Sequence, residues 1–411
     1  MDISAQSQTA LARIATRPDK GVTFTDLRKL DSDGDLHISA QEATQLGIAA
    51  EDINALNQAY RQSPFYDANE VAFDPKGGSA LAEAKGKEFD NIWREVRDAE
   101  HQPRTAQTPD QLRNNLKLDA AWTGRPQLKA MVEHLQARGQ SSPDTLTWLE
   151  AISKRHGKDT TEAICSELLN YARQGKSVTG IDKKAVLSDA LHDIAWPSDI
   201  AQANKGTCAA TALQMKLALE RPRQYVQNLT QLAQGQTVST PSGARMAPNN
   251  TWKGDEHDPR STSGRIMQNA IMNLGGQGLL WDSKYDSKSD PDNGLNRGEQ
   301  EAALRKLFGN NNYVNESSGL ITSKADLLAY VEDEFARGRS VSISFKNHAV
   351  LAVGIDKSKN PAEVIMNSWG RQYAMTLDEF KTHVLAVRTL DDSGYDNKKT
   401  VAGRKTILGD Q

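Results

Sequence analysis

Near its C-terminal end the sequence crowds three short apolar runs together: SVSISF, AVLAVGI and EVIMN. Runs of this length, rich in Val and Ile, read as buried strands. The long apolar-periodic segments upstream, such as LKAMVEHLQAR and AICSELLNYARQ, carry helical spacing instead. The chain must therefore build a sheet late and surround it with helices made earlier. The third strand ends at Asn367-Ser368-Trp369-Gly370. Asn, Ser and Gly all favour turns, so an amide, a hydroxyl and an indole stand side by side where the strand stops.

The 411 residues predict two or three domains. Residues 1–98 read as a helical unit, with helices near 4–16, 22–30, 40–46 and 50–62. Residues 99–186 read as a linker followed by a helical block, 187–395 as a mixed helix and strand unit, and 396–411 as a polar tail. Polar stretches over 234–264 and 282–300 read as loops. Ser323 is a candidate N-cap, and Gly338 suits the end of the helix that Ser323 opens. The net charge of −3, with no long basic run, argues against a nucleic-acid binder. No stretch approaches the ~20 apolar residues of a membrane span. The first twenty or so residues lack the apolar core of a signal peptide; a soluble chain exported by a non-classical route, or delivered to a host or competitor cell, fits that.

The sequence holds two cysteines, Cys165 and Cys208. Cys165 falls on a helical pattern and reads as a buried helix residue. Cys208, in NKGTCAATALQMKLALE, is predicted at the first turn of a helix, where free N–H groups and the dipole stabilise a thiolate. His348 lies between two strand patterns in SFKNHAVLAVGID. A Cys–His pair needs a third group to fix the imidazole, and Asn367 supplies a neutral one.

NHAVLAVGI and NSWG resemble the two hallmark segments of papain-like cysteine proteases. His348 follows Cys208 by 140 residues and Asn367 by 159, against roughly 130–150 in that family. The resemblance implies an α+β fold: a helical part carrying the Cys, and an antiparallel sheet carrying His and Asn. It implies Gln202, six residues before Cys208, as an oxyanion donor. It implies Asn367 bonded to the far nitrogen of His348, Trp369 shielding that bond, and Ser368 confined to turn work. The aromatic that follows the nucleophile in the family is absent, with Ala209 and Ala210 in its place. That departure resembles divergent bacterial members, C39-like peptidases and secreted effector proteases.

The first unit contains DSDGDLHISAQE. Read as an EF-hand loop, it offers Asp31, Asp33, Asp35, the carbonyl of His37, Ser39 and Glu42 as oxygen ligands for Ca²⁺. Leu36 stands where the motif calls for Gly. Ile38 stands where an apolar residue packs against a partner loop, for which residues 73–84 are a degenerate candidate. The expected function is peptide-bond hydrolysis through a Cys208–His348–Asn367 triad on a peptide or protein substrate, beside a calcium-binding module. Two alternatives remain open at this point: a deamidase or transglutaminase-like acyl transferase, and a non-enzymatic calcium-binding scaffold.

Overall fold

The structure is a computed structural model. It describes residues 3–15, 22–23, 26–27, 29–31, 38–60, 71–73, 94–95, 108–178, 180–203, 205–248, 258, 260–276, 294–319, 322–345 and 348–390. The architecture is mixed α and β, with antiparallel sheets.

The main sheet has seven strands in the order Arg94–Glu95, Arg371–Thr376, Glu363–Ser368, His348–Asp356, Val341–Phe345, Ala386–Leu390 and Tyr313–Ser317. The predicted strands at 341–368 lie at its centre and are buried along nearly their whole length, as strands covered on both faces must be. Period-two alternation assigns the faces. Ala349, Leu351, Val353 and Ile365 join the large core shared with the helices, whereas Val350, Ala352, Val364 and Met366 pack against Leu327, Val331, Phe335 and Phe380 on the other side.

The helix Cys208–Glu220 runs through the middle of the large core, with every residue from Ala209 to Leu219 buried. A helix apolar all round belongs inside a protein. The long helix Pro143–Gln174 kinks at Gly157, where φ is 75°. One continuous core runs from Leu112 to Ala374. The helical block expected to end at 186 is thus packed into the same core as the Cys208 helix. The helix Leu377–His383 is capped by a Thr376–Glu379 box. The polar stretch 234–264, expected as loop, contains a small hairpin, Val238–Ser239 with Arg245–Met246, and the first turn of the helix Thr262–Gly276.

The N-terminal unit shows helices at Ala5–Ile14, Ala40–Gln45 and Ile53–Tyr60. Its core of Ile3, Leu11, Val22, Leu27, Leu30, Ile38, Ile48 and Leu56 also includes Trp369 from the main sheet. No helix among the described residues is long and apolar enough to cross a membrane.

Candidate active site

Cys208 opens its helix, as expected, and is partly exposed. The preceding Thr207 makes no side-chain cap; its hydroxyl donates to Gln268 Oε1 at 2.8 Å. The helix start therefore keeps its positive end turned on the thiol rather than on a capping oxygen. Cys165 is fully buried, and burial pushes its thiol well up.

The direction of the helix fixes where Cys208 sits. Near the helix end, Lys216 Nζ donates to Ser340 O at 2.6 Å, and Glu220 Oε1 accepts from Ser340 N at 2.7 Å. Ser340 leads into the strand Val341–Phe345. Cys208 lies about 12 Å back along the helix from Lys216, toward the other end of that strand, where Phe345 pairs with His348. A second contact agrees. A Cβ on Gly370 would lie 3.2 Å from Ala201 Cβ and 3.3 Å from Asp199 O, so the turn after the Asn367 strand rests on the segment leading to Cys208. Cys208 and His348 thus lie toward the same end of the sheet, although the alternation that turns Ala349 and Leu351 to the helices turns the His348 side chain to the opposite face.

His348 is buried. Its Nε2 lies 2.7 Å from Ser368 Oγ and accepts from the indole Nε1–H of Trp369 at 2.9 Å. An indole nitrogen only donates, so Nε2 carries no proton in this arrangement and Nδ1 does. The two rings stack at a 31° tilt with centroids 5.6 Å apart.

Asn367 does not hold His348. Its Oδ1 accepts from Gln372 Nε2 at 3.1 Å. The reason is pleat parity. Asn367 pairs with Leu351, three residues beyond His348, so the two side chains leave opposite faces of the sheet. Ser368, one residue on, shares the face of His348 and takes the orienting place that the resemblance gave to Asn367. Trp369 is a direct partner of His348 and not only a shield. It adopts φ 55° and Gly370 φ 73°, the pattern of a two-residue turn with both centres left-handed.

Gln202 is buried and donates from Nε2 to Lys205 O at 2.7 Å. The sequence reading missed Gln268. Fully buried, it accepts from Thr207, donates to Ala201 O at 2.9 Å and to Gln214 Oε1 at 3.2 Å, and accepts from Arg260 Nη1 at 3.3 Å. It clasps both ends of the segment that carries Gln202 into Cys208. Behind it, Asp193 Oδ2 accepts from Ser263 Oγ at 2.6 Å and from Tyr225 OH. No local pattern marks such a residue; Gln268 reads as one polar position in an amphipathic helix.

In the calcium-type loop, Asp33, Asp35, Leu36 and His37 lie outside the described residues, as does most of 73–84. Asp31 is buried. Ser39 caps the helix Ala40–Gln45 in a reciprocal box with Glu42, whose Oε2 accepts from Ser39 N and Oγ at 2.8 Å each. Ile38 does not need a partner strand for its backbone: Asn57 Oδ1 accepts its N–H at 2.6 Å and Asn57 Nδ2 donates to its carbonyl at 3.0 Å. Among the described residues, no three acidic, His or Cys side chains converge as a metal site requires.

No family model, curated protein or solved structure matches this chain.

Proposed function

We propose that the protein is a thiol hydrolase of papain-like type that cuts peptide bonds, with Cys208 as nucleophile and His348 as proton carrier. The observation that supports this reading is a helix-opening, partly exposed Cys and a buried, hydrogen-bonded His on elements that reach the same end of the sheet.

The Cys208 thiolate attacks the substrate carbonyl carbon. Charge moves to the carbonyl oxygen, where the Cys208 backbone N–H and the second amide hydrogen of Gln202 stabilise it, at roughly 3–4 kcal/mol per donor. The C–N bond then breaks, and the departing nitrogen takes a proton from the imidazolium of His348. Water adds to the thioester and gives one proton to His348, and collapse of the adduct releases the acid and the Cys208 thiolate, restoring the starting pair. Ser368 Oγ accepts from Nε2–H in the imidazolium form, which makes it the orienting group. Trp369 Nε1–H must yield Nε2 whenever that form appears.

Asp31, Asp33, Asp35, the His37 carbonyl, Ser39 and Glu42 would hold Ca²⁺. The Ser39–Glu42 box supports this by fixing two of the loop's ligand positions at the start of the following helix. Bound there, the ion would tighten the unit whose core closes on Trp369 and would thereby steady the partner of His348.

The deciding experiment incubates protein substrates with wild type and with C208A and reads mass. Fragments formed by wild type alone support hydrolysis. Intact chains heavier by about one dalton point to deamidation by the same thioester chemistry. No change with either protein sinks the enzymatic reading.

A further inference from the structure

The sheet face beneath the Cys208–Glu220 helix holds a buried cation. Arg388 pairs with Ser342 on one side and Asn315 on the other. Its side chain is 1% exposed. Nη2 donates to Ser344 Oγ at 2.9 Å, while Nε and Nη1 have no hydrogen-bond partner among the described residues. Ser342 Oγ and Asn315 Oδ1, in the same cross-strand row, are also buried without partners. Ser344 pairs with Ala349, which faces the helices, so the guanidinium leans toward the sheet end where Cys208 sits.

A buried charge with no counter-charge is costly, and a guanidinium does not escape by losing its proton at neutral pH. Burial pulls Arg388 down to about 10 and Arg297 pulls the same way, while Glu301 and Cys208 oppose them. Glu301 is already bound to Arg305 at 2.6 Å. Among the described residues, the other charged or titratable groups around this end include His348, Lys205 and Asp199. Asp199 is engaged by His192 at 3.2 Å, and the Nε2 of His348 accepts an N–H from Trp369.

We propose that Arg388 is the counter-charge of the Cys208 thiolate, a positioning residue that, with the helix start, keeps Cys208 ionised whether or not His348 is protonated. The proposal rests on Cys208 being the nucleophile. It explains an arginine in a sheet interior with two N–H-bearing nitrogens left over. The thiolate then does not depend on a resting imidazolium, which the Trp369 bond opposes; His348 takes up a proton from solvent before the C–N bond breaks and passes it to the departing nitrogen.

The test is the pH profile of Cys208 alkylation by iodoacetamide in the full-length chain, read by peptide mass spectrometry over about pH 5 to 9. It compares wild type, R388M, R388K and H348A. Wild-type Cys208 should label well below the pH of an ordinary thiol, and H348A should keep most of that shift. R388M should lose it, slowing labelling at pH 6 about tenfold for each unit that the thiol rises. R388K should keep most of it. R388M should also melt no lower than wild type, because an apolar replacement relieves a buried charge. If R388M does not fold, R388Q, which can still reach Ser344, takes its place. Superimposable profiles for wild type and R388M or R388Q overturn the proposal and leave the nucleophile reading intact. A wild-type Cys208 that labels like an ordinary thiol overturns both.

Discussion

Replacing Trp369 by Asn sets two opposing effects against each other. Trp369 occupies φ 55° in a two-residue turn, a conformation that costs a bulky L-residue about 1–2 kcal/mol and that Asn tolerates. The substitution recovers that strain. It also empties the indole from the N-terminal core, where Trp369 is 2% exposed. Truncating a buried Trp costs about 3–5 kcal/mol. The net loss expected is about 1–4 kcal/mol. Urea unfolding gives the total, and hydrogen exchange locates it. Amides of Ala5–Ile14 and Ile53–Tyr60 should lose protection, while those of Val341–Phe345 keep theirs. A W369N protein as stable as wild type, with unchanged protection in the N-terminal helices, would refute the reasoning that the indole is the keystone between the two cores.

Other expectations follow from the same geometry. W369F removes the donor that favours neutral imidazole, so His348 should titrate at higher pH in that variant by NMR; S368A removes the acceptor for the imidazolium and should move it the opposite way. Q268A should lower kcat with little change in KM, because Gln268 clasps the segment entering Cys208 without facing substrate; a change confined to KM would contradict that role. Burial opposes charge on His192, but Asp193 and Asp199 more than offset it and raise the group from 6.5 to about 10. The stability it contributes is therefore full below about pH 6.5 and fades as pH rises toward about 10; H192Q should cost most in thermal melts at low pH and least near that upper limit. G370A should destabilise, since it combines φ 73° with a Cβ 3.2 Å from Ala201, and a melting temperature equal to wild type would count against the tight contact.

Much of this was legible because it is local. The helix opening at Cys208, the strands around His348 and Asn367, and the capped helix at Leu377–His383 each follow from periodicity, propensity and a cap within a few residues. Pleat parity was not legible. Whether Asn367 or Ser368 meets His348 depends on the pairing of Leu351 with Asn367, and register belongs to the sheet rather than to the NSWG segment. Gln268 and Arg388 matter through partners dozens of residues away. The same holds for Trp369, whose N-terminal neighbours precede it by more than three hundred positions. The packing across residue 186 is hidden for a related reason: composition changes there, but the apolar faces on both sides close on one core.

The central claim is that Cys208 is an activated nucleophile. Its most direct test is brief labelling at about pH 6 with an epoxide thiol inhibitor, with Cys165 as internal control. Rapid modification of Cys208 alone, with Cys165 silent behind its buried, raised thiol, is the result this account predicts. Cys208 labelling no faster than a free thiol at the same pH would contradict it.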